Sequence, residues 1–152
     1  MKNKFWGVSL ISAGLFVIDR IARELAFRAG AKELIPGFAE NLPTVNAGVA
    51  LGLTLPTGYR GVLILSFILL GVVVALAYRF FKQRQFWPWL GLNLIFFGAF
   101  SNFLDRLWFG GVRDFLKFSF WFTTNNLGDL LVTAGAIILI FTYKLKENER
   151  SK

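Results

Sequence analysis

The stretch GVLILSFILLGVVVALAYRFF, residues 61–81, carries a single formal charge, at Arg79 near its end. At about 1.5 Å per residue such a run covers the ~30 Å hydrocarbon core of a bilayer, so it reads as a spanning helix. Working outward, residues 87–104 form a second apolar run, with Pro88 tolerated in its first turn, and residues 125–143 a third. The uncharged run 5–18 is shorter and covers only about 21 Å as a helix. It must continue through Asp19, Arg20 and Arg23, which gives a span over residues 5–27. A cleavable secretory signal competes for this region, but Asp19 and Arg20 stand where small cleavage-site residues belong.

Composition points the same way. Hydrophobic residues make up 55% of the chain, aromatics 17%, and the mean hydropathy is +0.56, whereas a soluble domain is about 45–50% apolar even with Gly counted. The expected fold is an all-α membrane protein with four transmembrane helices. No internal repeat, low-complexity tract or second domain breaks the chain, so residues 1–152 read as one membrane domain.

Four spans place both termini on one side, and the basic residues say which. Lys2, Lys4, Arg79, Lys82, Arg84, Lys144, Lys146, Arg150 and Lys152 are faced there only by Glu147 and Glu149. The bias puts both termini in the cytoplasm. The net charge of +8 and the isoelectric point near 10.2 are therefore mainly an orientation signal. The bases form no Arg-rich helix and no aromatic stacking platform, so no nucleic-acid partner is expected.

Two longer segments remain outside, residues 28–60 and 105–124. In the first, Pro36, Gly37, Pro43, Gly48, Gly52, Pro56 and Gly58 interrupt short alternating pieces such as 44–45 and 53–55, a pattern of a small irregular extracytoplasmic β element. In the second, Phe115, Phe118, Phe120, Trp121 and Phe122 suit a segment lying in the membrane interface.

With no Cys and no His, thiol nucleophiles, thiolate metal sites, Ser-His-Asp chemistry and zinc-protease chemistry are all excluded. Catalysis must run on carboxylates, amides, hydroxyls, Lys or Arg. Asp19, Asp105, Asp114 and Asp129 all fall at or near the outer boundary of the membrane. At mid-bilayer each would cost about 2.5–3.5 kcal/mol. That penalty explains why they avoid the centre but not why they share one face.

Spacing adds detail. Asp19 and Arg23, Gly98 and Asn102, and Asn102 and Arg106 are i,i+4 pairs, while Asn102 with Asp105 and Asn126 with Asp129 are i,i+3 pairs. Each pair shares a helix face. Singly, each has a plain structural explanation. Asp19 with Arg23 reads as a helix-end ion pair solvating a short span, Asp105 with Arg106 as a cap and a snorkelling base, and Asn126 with Asp129 as capping groups. Asn46, Gly48 and Gly52 are ordinary loop residues. Together, a one-sided cluster of Asp and Asn marks a site. Without His, hydrolysis is open to two carboxylates sharing a proton across a water. At about 4 Å and an effective dielectric near 20 they would repel by about 4 kcal/mol, so both cannot ionise near neutrality. Such a pair titrates as a unit, and neither member takes a fixed acid or base role.

The blocks Asn46-Ala-Gly-Val-Ala-Leu-Gly52, Asn102-Phe-Leu-Asp-Arg106, Val112-Arg-Asp-Phe115 and Asn126-Leu-Gly-Asp129, following Asp19, resemble in order and spacing the signature blocks of signal peptidase II, the bacterial lipoprotein signal peptidase. The resemblance runs from Asp19 to the last span. It implies a four-span aspartyl protease of the bacterial inner membrane in which Asp114 and Asp129 are the catalytic dyad. Asp19, Arg23, Asn46, Gly48, Gly98, Asn102, Asp105, Arg106 and Asn126 would bind substrate or support the site. The substrate it implies is a diacylglyceryl-modified prolipoprotein, cut before the lipidated Cys, with lipid tails among the helices and residues 28–60 clamping from above. It implies globomycin as an inhibitor, no metal or organic cofactor, and membrane lipid as the other partner of a monomeric enzyme. Departures from the family pattern are Arg23 for Lys, Leu51 for Phe, Ser101 for Gly and Gly128 for Ala.

Two other readings use the same acids. A small transporter or proton relay would need acids through the depth of the membrane, and a catalytically silent relative would bind lipoproteins without cutting them.

Overall fold

The computed structural model describes residues 2–48 and 58–150. Its elements are α1 (Lys2–Ala29), β1 (Lys32–Ile35), β2 (Ala39–Asn46), α2 (Gly58–Lys82), α3 (Phe86–Phe109), β3 (Val112–Phe118), β4 (Thr124–Asn125) and α4 (Leu127–Arg150). Residues 49–52 of the Asn46 block, with Leu51 and Gly52, and the piece 53–55 lie outside the described residues.

Among the described residues three helical segments are long and apolar enough to cross a membrane: Lys4–Ala29, Gly58–Lys82 and Leu127–Leu145. The run expected to span at 87–104 is the helix α3, 24 residues long, which falls short of that hydropathy. Its position explains the difference. α3 packs against each of the other three helices, so its polar residues Asn93, Ser101, Asp105 and Arg106 face protein and are buried.

The contacts fix the directions. Phe5 of α1 meets Trp89 at the start of α3 and Phe81 at the end of α2, with ring centroids 5.0 and 5.4 Å apart. Phe16 meets Phe97 and Phe100 one turn after another. α1 therefore runs parallel to α3, and α2 antiparallel to it, with the tight turn between them made by Arg84 at φ 53°. α4 also runs antiparallel to α3: Gly91 lies against Gly135, and Gly98 against Gly128. The chain's first helix thus starts at the bundle end where its last helix finishes.

Those glycines let two backbones approach closely. A methyl group at Gly98 would run into the Gly128 carbonyl oxygen and lie 3.0 Å from Val132 Cγ2, whereas one at Gly14 would meet nothing within 4 Å. Gly98→Ala should therefore lose about 1–3 kcal/mol, a cost typical of overpacking. Thermal unfolding of the protein in detergent reads this as a lower midpoint for Gly98→Ala and an unchanged or slightly higher one for Gly14→Ala, which gains helix propensity.

At the other end of the bundle the strands that follow α1 and α3 join into one antiparallel sheet, ordered β1-β2-β3-β4. β2 pairs with β3 so that Thr44 faces Asp114, Val45 faces Arg113 and Asn46 faces Val112. This corrects the expectation for residues 105–124. Helix α3 continues through Phe109, ended by Gly110 at φ 73°, and residues 112–118 form a strand of the sheet. Val112, Arg113, Asp114 and Phe115 are all buried, since β3 is covered by β2 and β4 at its edges and by α1 and α3. The exposed aromatics expected in the interface reduce to Phe120, Trp121 and Phe122, just beyond the strand.

Candidate active site

Strand alternation separates the neighbours of Asp114. Successive residues of β3 point to opposite faces, so Val112 and Asp114 line a cavity of about 450 Å³, while Arg113 turns the other way and bonds Asp105 and Glu24. Asp129 reaches the same cavity from the first turn of α4. Asn126 joins the two carboxylates. Its backbone N–H donates to Asp129 Oδ2 at 3.2 Å and its side-chain Nδ2 to Asp114 Oδ1 at 2.6 Å. The Asn126 side-chain oxygen in turn accepts the Asp129 N–H at 2.9 Å, which makes a reciprocal cap for α4. The capping explanation of Asn126 and Asp129 is therefore correct, and the same bonds aim both carboxylates.

Each carboxylate has a second amide donor. Asn46 Nδ2 lies 3.3 Å from Asp114 Oδ2, and Asn102 Nδ2 lies 2.8 Å from Asp129 Oδ1. Asn46 is held by the Gly48 N–H, which donates to its side-chain oxygen at 2.9 Å, and the Gly48 carbonyl accepts from Arg106 Nη2 at 3.2 Å. Burial pushes the Asp114 carboxyl up to about 6, with the Asp129 charge adding to the rise, while the hydrogen bonds from Asn126 and Asn46 and the charge of Arg23 oppose it. Asp114 thus holds a proton well above the usual carboxylate range.

Behind this wall lies a buried ionic network. Arg23 and Asp19 are 0% exposed, with Arg23 Nε 2.8 Å from Asp19 Oδ2. Asp19 also accepts from Ser101 Oγ and from the Gly128 N–H at the α4 N-terminus. Asp105, likewise 0% exposed, accepts from Arg20 at 2.6 Å, Arg23 at 2.7 Å and the Arg113 N–H at 2.9 Å. These positions overturn the plain explanations of both pairs: Asp19–Arg23 does not solvate a helix end, and Asp105 does not cap one. The charges are buried because α1, α3, β3 and the start of α4 close over them.

The structure thus brings Asn46, Asn102, Arg106, Asp114 and Asp129 onto one cavity wall, with Asp19, Arg23, Asp105 and Asn126 behind it. Gly98 serves the α3–α4 contact rather than the cavity. Sequence reasoning missed Arg20, Ser101 and Arg113, which complete the network, and Tyr59, whose hydroxyl donates to the Arg106 carbonyl. Arg113 carried no local signal, because only the strand β3 puts it on the face opposite Asp114, and that strand was not legible in the chain. Among the described residues no group of acidic side chains is arranged to hold a metal ion.

A family model described as signal peptidase (SPase) II matches residues 11–145. The chain belongs to the signal peptidase II family. It is 35% identical over 144 residues to the lipoprotein signal peptidase of Burkholderia vietnamiensis, covering 89% of this chain and 84% of that one. The lipoprotein signal peptidase of Burkholderia multivorans is also 35% identical, over 142 residues. Among solved structures, a bacterial membrane enzyme determined by the in meso method at 2.3 Å is 27% identical and superposes with a TM-score of 0.80, covering 96% of this chain and 92% of the other. A second, at 1.9 Å, gives a TM-score of 0.74 at 27% identity.

Proposed function

We propose that this signal peptidase II family member is an aspartyl endopeptidase of the bacterial inner membrane, cutting diacylglyceryl-modified prolipoproteins before the lipidated Cys. The single observation that carries the reading is Asn126, whose two N–H groups hold Asp114 and Asp129 on one cavity wall. α3 is the fourth span, lying alongside the three apolar helices at matching length, and both termini face the cytoplasm. The cavity then opens near the outer leaflet.

Asp114 and Asp129 share one proton across a water. The ionised carboxylate takes a proton from the water as its oxygen attacks the scissile carbonyl, and the protonated one donates to the carbonyl oxygen. Collapse of the tetrahedral intermediate passes a proton to the leaving Cys amine. Leu65, Leu69, Ala99 and Val132 supply an apolar wall where the acyl chains can lie, while Trp121, Thr123, Thr124 and Asn125 rim the entrance on the sheet side. A proton-relay reading finds no support, since the four aspartates cluster at one end of the bundle, not through its depth.

The pH dependence follows from Asp114. Burial raises the Asp114 carboxyl to about 6, so the pair loses its shared proton as the pH rises through that region and kcat/KM falls on an alkaline limb with a midpoint near 6. Bound substrate excludes water, which disfavours the charged form, so the same limb in kcat lies at higher pH. Asn46→Ala removes a donor that stabilises the Asp114 anion, and moves the kcat/KM limb upward. A limb that stays in place or moves down on this substitution contradicts the assignment.

The function itself is tested with purified protein in lipid nanodiscs, given a diacylated prolipoprotein and its unlipidated form. Release of the signal peptide from the diacylated form alone is the expected result. Binding without release would assign the chain to silent relatives.

A further inference from the structure

We propose that Arg23 is the positioning residue for both carboxylates, and that Gly128 leaves the space its guanidinium requires. The inference rests on the aspartyl reading and names what holds that dyad in place. All five N–H groups of the guanidinium have an acceptor. Nε donates to Asp19, Nη1 to Asp105 and to the Arg113 carbonyl, and Nη2 to the side-chain oxygens of Asn102 and Asn126, both at 2.7 Å.

The bonds of Nη2 decide the orientation of two amides. An amide whose oxygen is held by a cation must present its NH2 on the opposite side. For Asn102 that NH2 meets Asp129, and for Asn126 it meets Asp114. Flipping either amide would turn its oxygen toward a carboxylate oxygen, two acceptors with no proton between them. One nitrogen therefore sets the donors of both members of the pair. The guanidinium cannot pivot, because Asp19 and Asp105 grip its other two nitrogens and all three side chains are fully buried. A lysine offers a single nitrogen with three N–H groups and cannot serve these acceptors together.

Gly128 borders this same nitrogen. A Cβ there would lie 3.0 Å from Arg23 Nη2, 2.9 Å from Asn126 Oδ1 and 3.1 Å from the Gly98 carbonyl oxygen. A methyl group would press on the bond from Nη2 to Asn126, and through it on Asp114. Arg23 and Gly128 should therefore be coupled in function although neither touches substrate.

The test is a double-mutant cycle of wild type, R23K, G128A and R23K/G128A in nanodiscs, with kcat, KM and the pH profile measured on diacylated prolipoprotein. R23K should lower kcat about 10–100-fold, a loss typical of supporting partners, with KM within about twofold. Its alkaline limb of kcat/KM should move up, because Asn126 then donates less well to Asp114. The double variant should keep the kcat of R23K within about threefold, since without Nη2 behind it the Asn126 side chain can yield to the added methyl group, and the backbone contact with Gly98 lies away from the carboxylates. Losses that multiply, or an R23K enzyme with the kcat and pH profile of wild type, overturn the proposal. Where a variant does not accumulate, solid-state NMR distances in wild-type protein between the Arg23 guanidinium nitrogens and the Cγ atoms of Asn102 and Asn126 decide. Contact with both supports the proposal, and separation from either overturns it. Asp114→Asn and Asp129→Asn run alongside. Cleavage by either at the wild-type rate removes the dyad and this proposal with it, whereas inert dyad variants beside an unaltered R23K enzyme remove the Arg23 role alone.

Discussion

Asp129→Asn and Asp114→Asn each reduce cleavage of a diacylated prolipoprotein by about a thousandfold or more, equivalent to roughly 4 kcal/mol of barrier. The substitution is nearly isosteric, so it probes chemistry rather than packing. An amide at 129 still accepts from Asn102 through its oxygen, and one at 114 still accepts from Asn126. What each variant lacks is a carboxyl that can lose and regain a proton, together with one acceptor, since the new NH2 faces the Asn126 N–H at 129 and Asn46 at 114. Because both groups act as one unit, the double variant falls no further than either single one. Stability should change little for Asp114→Asn, since removing a buried carboxyl that resists ionising, with its proton held up to about 6, offsets the lost acceptor for Asn46. Signal-peptide release measured with thermal unfolding on the same preparations separates the two effects. A variant that unfolds early and loses activity for that reason would count against a purely chemical role.

The second large effect falls on stability. Asp105→Ala leaves Arg20, Arg23 and Arg113 around an empty site, where the carboxylate had met three guanidiniums at 2.6–3.2 Å with 0% exposure of its own side chain. Removing one partner of a buried ionic group strands the others and costs about 3–5 kcal/mol. At about 2–4 °C per kcal/mol the thermal midpoint drops by roughly 6–20 °C. The contrast is Arg28→Ala, which breaks a pair with Glu24 whose side chains are 75% and 51% exposed. Solvent screens that pair, so its loss leaves the midpoint unchanged. Equal midpoints for the two variants would mean that the Asp105 network does not carry the junction of α1, α3 and β3.

The helices were legible in the sequence because bilayer length is a local property: an apolar run such as 61–81 needs no knowledge of its neighbours. The β3 strand was not. VRDFLKF at 112–118 places Arg and Asp inward, a choice that makes sense only once Asp105, Glu24 and Asn126 surround it, and its partner β2 lies nearly seventy residues away at Thr44. Read locally, its aromatic residues suggested an interface. The site divides in the same way. Asp19 with Arg23 and Asn126 with Asp129 share a helix turn, so spacing alone pairs them. The bonds from Arg20 and Arg23 of α1 to Asp105 of α3 cross between helices, and no spacing rule reveals them. Thus the acids and amides could be named from the chain, whereas their division between cavity wall and buried support required the fold.

The central claim is that Asp114 and Asp129 act together on one water. A peptide inhibitor carrying a secondary hydroxyl in place of the scissile carbonyl mimics the tetrahedral intermediate, and a crystal structure with it bound puts the claim to the most direct test. The account predicts that hydroxyl within hydrogen-bonding distance of a carboxylate oxygen from each aspartate, with Asn126 still bonded to both. A hydroxyl held by one aspartate while the other faces away would contradict it.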